Sequence, residues 1–451
     1  MKFRSETGGK GAKQRGGCGR ASAAAARRSL FPASRGGSAA KAAGTVGADR
    51  ISAALPNAFA GSRALLFAAT LALAAASGCA PLEPRGTGDL GIVVERAAGR
   101  VRIVDTTRRE VIGAVEGLGD LSHASAVFSR DGRYAYVFGR DGGLTKVDLL
   151  RRRIERRIVQ SGNSIGGAIS QDGRLVAAAN YEPGGVRVFD AETLELLADI
   201  PAIYGGGARA KVVGLEDAPG NRFAFSLFEA GEIWLADLSD PRAPRISRFR
   251  DAGRQPYDGL VTPDGRYYLA GLFGEDGVAL LDLWHPERGV RRVLEGYGRG
   301  QEPLPVYKMP HLEGWALAGH LAFLPAVGRH EVLVVDTLTW REAGRIAVAG
   351  QPVFVIAQPD GRRVWVNFAL PHNDTVQVID VETRAVTRTL RPGRAVLHME
   401  FTARGEEVWI SARDDNRVVV YDTARFEQKA ALAAESPSGI FFTARAQRFG
   451  F

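Results

Sequence analysis

Cysteine is nearly absent: Cys18 and Cys79 are the only two in 451 residues, and methionine occurs three times. There is no Cys-x-x-Cys-His, which excludes a covalently attached c-type haem. If Cys18 leaves with a leader and Cys79 is modified, no disulfide remains to staple the fold. The sequence also lacks His-Glu-x-x-His and Gly-x-Ser-x-Gly, so neither a zincin helix nor a hydrolase nucleophile elbow is encoded. The Gly-rich stretches at 205–207 and 296–300 do not join a strand to a helix, which removes the dinucleotide and P-loop readings. No apolar run reaches the ~20 residues of a membrane-spanning helix. The run Ala64 to Ala76 is too short.

What is present is a large apolar content, 45%, with 55 Gly and 21 Pro, enough to build a sizeable core. The formal charge of +9 is unevenly placed. Residues 1–79 hold 12 Lys/Arg against 2 Asp/Glu, which leaves 47 basic and 48 acidic residues for the remainder. The folded part is therefore neutral, and the basic excess belongs to a Gly/Ala/Ser/Arg-rich leader rather than to a nucleic-acid-binding face. Behind Arg63, the short apolar run ends in Ser77-Gly78-Cys79. This is the pattern of a lipoprotein signal peptide, cleaved before an acylated Cys79. The expected organisation is a leader over 1–79, a short linker over 80–87 and one folded domain over 88–451, anchored to a membrane from the periplasmic side.

That domain repeats. Eight times an alternating apolar strand ends in Asp, at Asp105, Asp148, Asp190, Asp237, Asp282, Asp336, Asp380 and Asp422, at spacings of 43, 42, 47, 45, 54, 44 and 42. Within each unit an apolar strand precedes a turn such as Asp131-Gly132, Asp172-Gly173, Asp264-Gly265 or Asp360-Gly361, and a second apolar strand follows. Asp-Gly between alternating apolar runs marks a hairpin, because Gly accepts the positive φ of the turn. A period near 45 with short strands and no amphipathic helix predicts an all-β fold, an eight-bladed β-propeller of four-stranded blades. The first unit, from Gly91, lacks its opening strand, and the chain ends in an orphan strand around Ile440-Phe441-Phe442. Pairing the two closes the ring and removes a free sheet edge.

In a propeller the first strand of each blade begins near the central channel, so polar residues at those starts converge on one pocket. They are Ser122 and His123, Asn163 and Ser164, Arg209 and Lys211, Tyr257 and Asp258, Lys308 to His311, and His398. Imidazoles, cations and a phenol around a wide opening suit a flat anionic ligand with an open axial position, with histidine as the iron ligand and Arg or Lys against carboxylates. His311 and His320 fall in the longest unit. His285, His330 and His372 read as ordinary surface residues.

The segment from Gly119 to Gly142, GDLSHASAVFSRDGRYAYVFGRDG, resembles the cytochrome d1 domain family. The similarity extends along the whole repeat region. The runs GNSIGGAISQDGRL, YDGLVTPDGRYYLAGLFGEDG, LDLWHPERGV and VYKMPHLEGW resemble in particular the lipoprotein-type haem d1 biosynthesis members of that family. The resemblance implies haem d1 or its precursor as the bound group, with His123 as axial ligand to the tetrapyrrole iron and Arg140 near its carboxylates. It also implies that haem d1 nitrite reductase and other haem d1 biosynthesis proteins are partners. The chain departs from the nitrite reductases: it has no c-haem motif, and Pro352-Val353-Phe354 stands where a second distal histidine is expected. The resemblance therefore implies handling of a tetrapyrrole during cofactor assembly, not nitrite reduction. His398, His311, Asp141 and Tyr257 are the candidate acids and bases, and His123, Arg140, Arg209, Lys211, Asn163 and Ser164 the candidate binding residues. Late modification of the precursor, carriage without modification and a plain protein-binding scaffold all remain open to this sequence.

Overall fold

The computed structural model describes residues 85–296, 315–326 and 329–448. The leader, Cys79, Lys308 and His311 lie outside them. Among the described residues, eight antiparallel four-stranded sheets follow one another, with one additional two-stranded ribbon, Ile203–Tyr204 against Ala208–Arg209. The blades number two to eight in chain order, beginning with the strand Ser125–Phe128 and ending with the blade that opens at Val396–Phe401. The first blade is composite. Its inner strand is Pro437–Phe442, from the far end of the chain, hydrogen-bonded to Leu90–Glu95 in the order expected for closure.

All eight aspartates end the third strand of a blade. Their carboxylates turn back to accept backbone N–H groups of the following turn: Arg151 on Asp148 at 2.9 Å, Thr193 on Asp190 at 2.8 Å, Ser239 on Asp237 at 2.9 Å and Thr383 on Asp380 at 2.8 Å. The repeat that marks the fold in the sequence is thus a side chain mimicking a backbone turn. The Ser239 hydroxyl and N–H, with Arg245, hold Asp237 down at about 2. On the same face Gly132, Gly173, Gly265 and Gly361 adopt φ of +66° to +73° in the Asp-Gly turns.

Blades stack face to face, so their two middle strands are covered on both sides and read as near-continuous apolar runs, while the fourth strand keeps one face in water. Tyr134–Phe138 and Gly143–Asp148 are buried almost throughout, whereas Arg153–Val159 alternates half-buried and exposed positions. Trp234, Trp365 and Trp409 fill the gaps between blades and are fully buried. Polar side chains also cross from blade to blade. Tyr136 Oη and Lys146 Nζ both donate to the Ala191 carbonyl, at 2.7 and 3.0 Å, and Asn367 donates to the Val396 carbonyl at 3.0 Å.

Arg85 pairs with Asp89 and Asp105, and the Thr87 hydroxyl donates to the Asp131 carbonyl at 2.7 Å. Residues expected in a linker are therefore bonded to blades one and two. Closure is secured by Glu95, which is 0% exposed. Its carboxylate accepts the Glu435 N–H at 2.5 Å and the Arg102 Nε–H at 3.0 Å, with Arg100 on the same oxygen as Arg102. Burial alone raises this carboxyl, but the hydrogen bonds from Arg100, Glu435 and Arg102 outweigh it and hold the group below the usual glutamate range.

Two outcomes follow from the closure. Phe442, 2% exposed and edge-on to Trp409 with ring centres 5.4 Å apart, fills the last inter-blade gap. Phe442→Ala is expected to cost about 3–5 kcal/mol in urea unfolding. Because the folded-state value of Glu95 is depressed, its contribution is complete above the ordinary glutamate pKa of about 4.3 and is lost as pH falls through the folded value. Glu95→Gln should lower stability by roughly 2–3 kcal/mol at pH 7. The gap to wild type should shrink as pH falls below about 4.3 and vanish below the folded-state value, as read from denaturation midpoints across the acid range.

Candidate functional site

In an antiparallel blade the start of the first strand and the loop between the second and third share one edge. The register shows it in blade two, where Ser125 pairs with Phe138 and Phe138 with Leu144. The face opposite the Asp-Gly turns, the mouth, thus carries His123 and the Gly139–Gly142 loop from blade two, and Asn163 from the start of blade three. The loop is wedged between them: Arg140 N–H donates to the Asp120 carbonyl at 2.8 Å, and the Arg140 carbonyl accepts the Ser164 N–H at 3.4 Å. His123 stands half-buried in the bend just before Ser125–Phe128. That bend is set by Asp120, which accepts the Ser122 N–H at 2.8 Å. The Ser122 hydrogen bonds, followed by the charges of Arg140 and Arg96, keep the Asp120 carboxyl ionised below its ordinary range.

The sequence candidates divide. Asn163 Oδ1, at the start of blade three, and Ser125 Oγ, beside His123 in sequence, are buried with no hydrogen-bond partner among the described residues. Ser164 is fully buried, and its hydroxyl donates to the Ala179 carbonyl at 2.8 Å, so it belongs to the sheet and not to the mouth. Asp141 is held by Arg157 at 2.6 Å and by the Gly143 N–H at 3.0 Å, and its carboxylate fixes the loop that carries Arg140. Arg157 also donates to the Leu118 carbonyl at 3.2 Å. Arg209 is exposed in the small ribbon ahead of blade four. Lys211 bonds Glu229 twice, through Nζ and through its own N–H, both at 2.7 Å. That contact raises the lysine, which is charged at neutral pH.

Tyr257 is 9% exposed and shares a 2.8 Å hydrogen bond with the Tyr181 hydroxyl. Burial pushes it far above the ordinary tyrosine range, with the Tyr181 contact adding to the shift. It cannot act as a phenolate base near neutrality. Its strand is placed by Gly214 of blade four, at φ +55°, where a Cβ would lie 2.2 Å from the Asp258 carbonyl carbon. Only glycine permits so close an approach of the two inner strands. Across the mouth His398 is half-buried, its Nδ1 accepting the Ile440 N–H at 3.3 Å, which leaves the Nε2 as the protonated nitrogen of the neutral ring. Phe354 and Phe441 flank that ring, with centres 5.9 and 5.4 Å away. His320 and His330 are exposed in turns, and His285 and His372 are half-buried in bends.

Three residues of this face are not marked by the strand-start rule. Tyr181 ends the second strand of blade three, Arg96 lies in the corresponding turn of blade one and Arg413 in that of blade eight. Arg96 donates to the Ser122 carbonyl, next to His123. Burial and then the charge of Arg413 lower its pKa, so two guanidinium groups approach each other where an anion would relieve them. The signal available for all three was their place in the second-to-third-strand loops, which also carry Arg140.

Comparison with known proteins agrees with this geometry. Residues 85–446 match the cytochrome D1 heme domain model. The chain is 64% identical over 385 residues to Protein NirF of Pseudomonas aeruginosa, covering 85% of this chain and 98% of that one. It is 30% identical over 378 residues to the dihydro-heme d1 dehydrogenase of the same organism, covering 80% and 73% respectively. The solved structure of dihydro-heme d1 dehydrogenase NirN in complex with DHE superposes with a TM-score of 0.71 at 28% identity, over 82% of this chain and 79% of that one. With a family match over most of its length and a propeller closed by its own C-terminal strand, the chain belongs to the cytochrome d1 haem domain family.

Proposed function

We propose that the propeller binds a d1-type tetrapyrrole, haem d1 or its immediate precursor, over the mouth of its channel and takes part in a late modification of it. This places the chain in haem d1 biosynthesis, upstream of haem d1 nitrite reductase. The observation that carries the reading is the grouping of His123 with cations on one face. A half-buried imidazole lies beside Arg96, with Arg413 next to Arg96 and with Arg140 and Lys211 further round the mouth. The family match and the NirN complex with DHE support it.

The residues fit such a ligand. The tetrapyrrole iron, once bound, supplies one open coordination position, and a neutral histidine nitrogen is a suitable donor to it. Arg140, Lys211, Arg96 and Arg413 suit carboxylates around the rim. Phe354 and Phe228 present apolar surface to the macrocycle. The buried Asn163 Oδ1 and Ser125 Oγ each carry an unmet cost of roughly 1–3 kcal/mol that a bound polar group would remove. Among the candidate acids and bases, His398 is half-buried with its Nδ1 turned to the Ile440 N–H. Asp141 is committed to Arg157, and Phe354 of blade seven has no proton to give, which separates this mouth from one built to reduce nitrite. Cleavage and acylation at Cys79 would hold the protein on a membrane in the periplasm.

An absorption titration of the protein with iron-loaded haem d1 and its precursors is expected to give a saturable shift. The shift should change form in His123→Ala and need about tenfold more ligand in Arg140→Ala. No shift in wild type would overturn the proposal, and chromatography of the eluted tetrapyrrole separates a modifying enzyme from a carrier. Ser164→Ala should instead cost about 1 kcal/mol of stability and leave the titration unchanged.

A further inference from the structure

We propose that the outer strand of blade two is a membrane-contact surface: Arg151, Arg152, Arg153 and Arg156 lie against the phosphates of an anionic bilayer, so that the propeller stands edge-on and its mouth opens along the membrane plane. The inference rests on the acylation of Cys79 proposed above and names the face that the anchor brings to the lipid.

The first described residues fix where the chain joins the body. Arg85 pairs with Asp89 at 2.9 Å and with Asp105 at 3.0 Å, and the Thr87 hydroxyl bonds the Asp131 carbonyl, so the chain enters at the seam of blades one and two. Cys79 stands six residues earlier, and six residues span at most about 20 Å. An acylated Cys79 therefore keeps that seam beside the bilayer. The basic turn of blade two lies at the same seam. Arg152 crosses onto the outer strand of blade one, Glu110–Val115, where a Cβ on Gly113 would lie 2.8 Å from the Arg152 Cδ. Arg151, Arg152, Arg153 and Arg156 are all exposed. The acids around them are already engaged: Glu155 by Arg153 at 2.9 Å, the buried Asp148 by Arg133 at 2.9 Å and, on blade one, Glu110 by Arg108 at 3.6 Å and Glu116 by Arg100 at 3.5 Å. Arg151 reaches Asp148 only at 4.0 Å. A surplus of guanidinium groups is left on this rim. Guanidinium forks match phosphate oxygens in pairs, and basic groups next to an acyl anchor add to its hold on an anionic surface. The outer strand lies on the circumference of the ring, so a bilayer against it runs parallel to the channel axis.

The test is headgroup quenching on the full acylated protein in lipid vesicles. Once the leader with Cys18 is gone and Cys79 is acylated, one introduced cysteine carries a single dye. It is placed by Val159→Cys at the end of this strand, or by Ala347→Cys at the end of the outer strand of blade six, across the ring, both exposed positions. In vesicles of about 30% phosphatidylglycerol with a nitroxide-headgroup lipid, the dye on blade two should be quenched about threefold more than the dye on blade six. The bias should vanish in phosphatidylcholine vesicles and at about 1 M salt, where the screening length is about 3 Å. It should also vanish when Arg151→Gln, Arg152→Gln and Arg156→Gln are combined, each arginine being worth about fivefold in partition. Equal quenching at the two positions, as expected of arginines that only keep a strand edge from pairing, or a bias that persists without anionic lipid or without the three arginines, would overturn the assignment. Thermal unfolding identifies a folding defect in the triple variant, and the lipid and salt comparisons on the unaltered patch then carry the test. Intact-mass measurement separates the two levels: an unacylated Cys79 removes the anchor and this face with it, whereas an acylated protein without the bias overturns the face alone.

Discussion

The structure depends on one contact between distant parts of the chain: the pairing of Pro437–Phe442 with Leu90–Glu95. Every other blade is made from consecutive strands and needs only local turns. The composite blade must bring together residues some 340 positions apart, and it does so with a carboxylate buried at the join. Glu95 receives donors from its own blade and from the residue entering the last strand, so opening the ring costs it the Glu435 N–H bond. His398 is tied to the same closure, since its Nδ1 takes the Ile440 N–H of that strand. The mouth and the join are in this sense one construction.

From the closed ring follows a division of labour between the two faces. One face repeats the same device eight times, an aspartate folded back on its turn, and owes its regularity to that repetition. The other face breaks the repeat at nearly every blade: a histidine and a wedged arginine loop in blade two, a lysine bonded to glutamate in blade four, a pair of tyrosines from blades three and five, a phenylalanine of blade seven beside a histidine of blade eight. Rigid inter-blade packing lets such unlike side chains be held side by side, because each loop is fixed at both ends by a strand. Some of the cations there are held by carboxylates of the same face, Lys211 by Glu229 and Arg413 by Asp414.

The fold was legible because its signals are local: an Asp-Gly turn or an Asp after an apolar strand means the same thing wherever it falls. His123 was singled out by its place at a strand start and Arg140 by family resemblance, and the structure sets both on the same edge of blade two. Ser164 is taken up by its own sheet, its hydroxyl bonded to the Ala179 carbonyl fifteen residues on, a partner that no local pattern announces. Asp141 looked like a free acid because its partner Arg157 arrives from the fourth strand, sixteen residues on. The Tyr181–Tyr257 hydrogen bond joins residues two blades apart, and no spacing in the sequence announces that meeting.

The account's central claim is that His123 meets the iron of a d1-type tetrapyrrole on the channel mouth. Pulsed electron paramagnetic resonance of the ferric haem d1 complex, with the protein labelled with 15N at histidine, addresses it directly. The account predicts a strong histidine nitrogen coupling in wild type that is lost in His123→Ala. A bound ferric complex without histidine coupling, or with the coupling intact in His123→Ala, would contradict it.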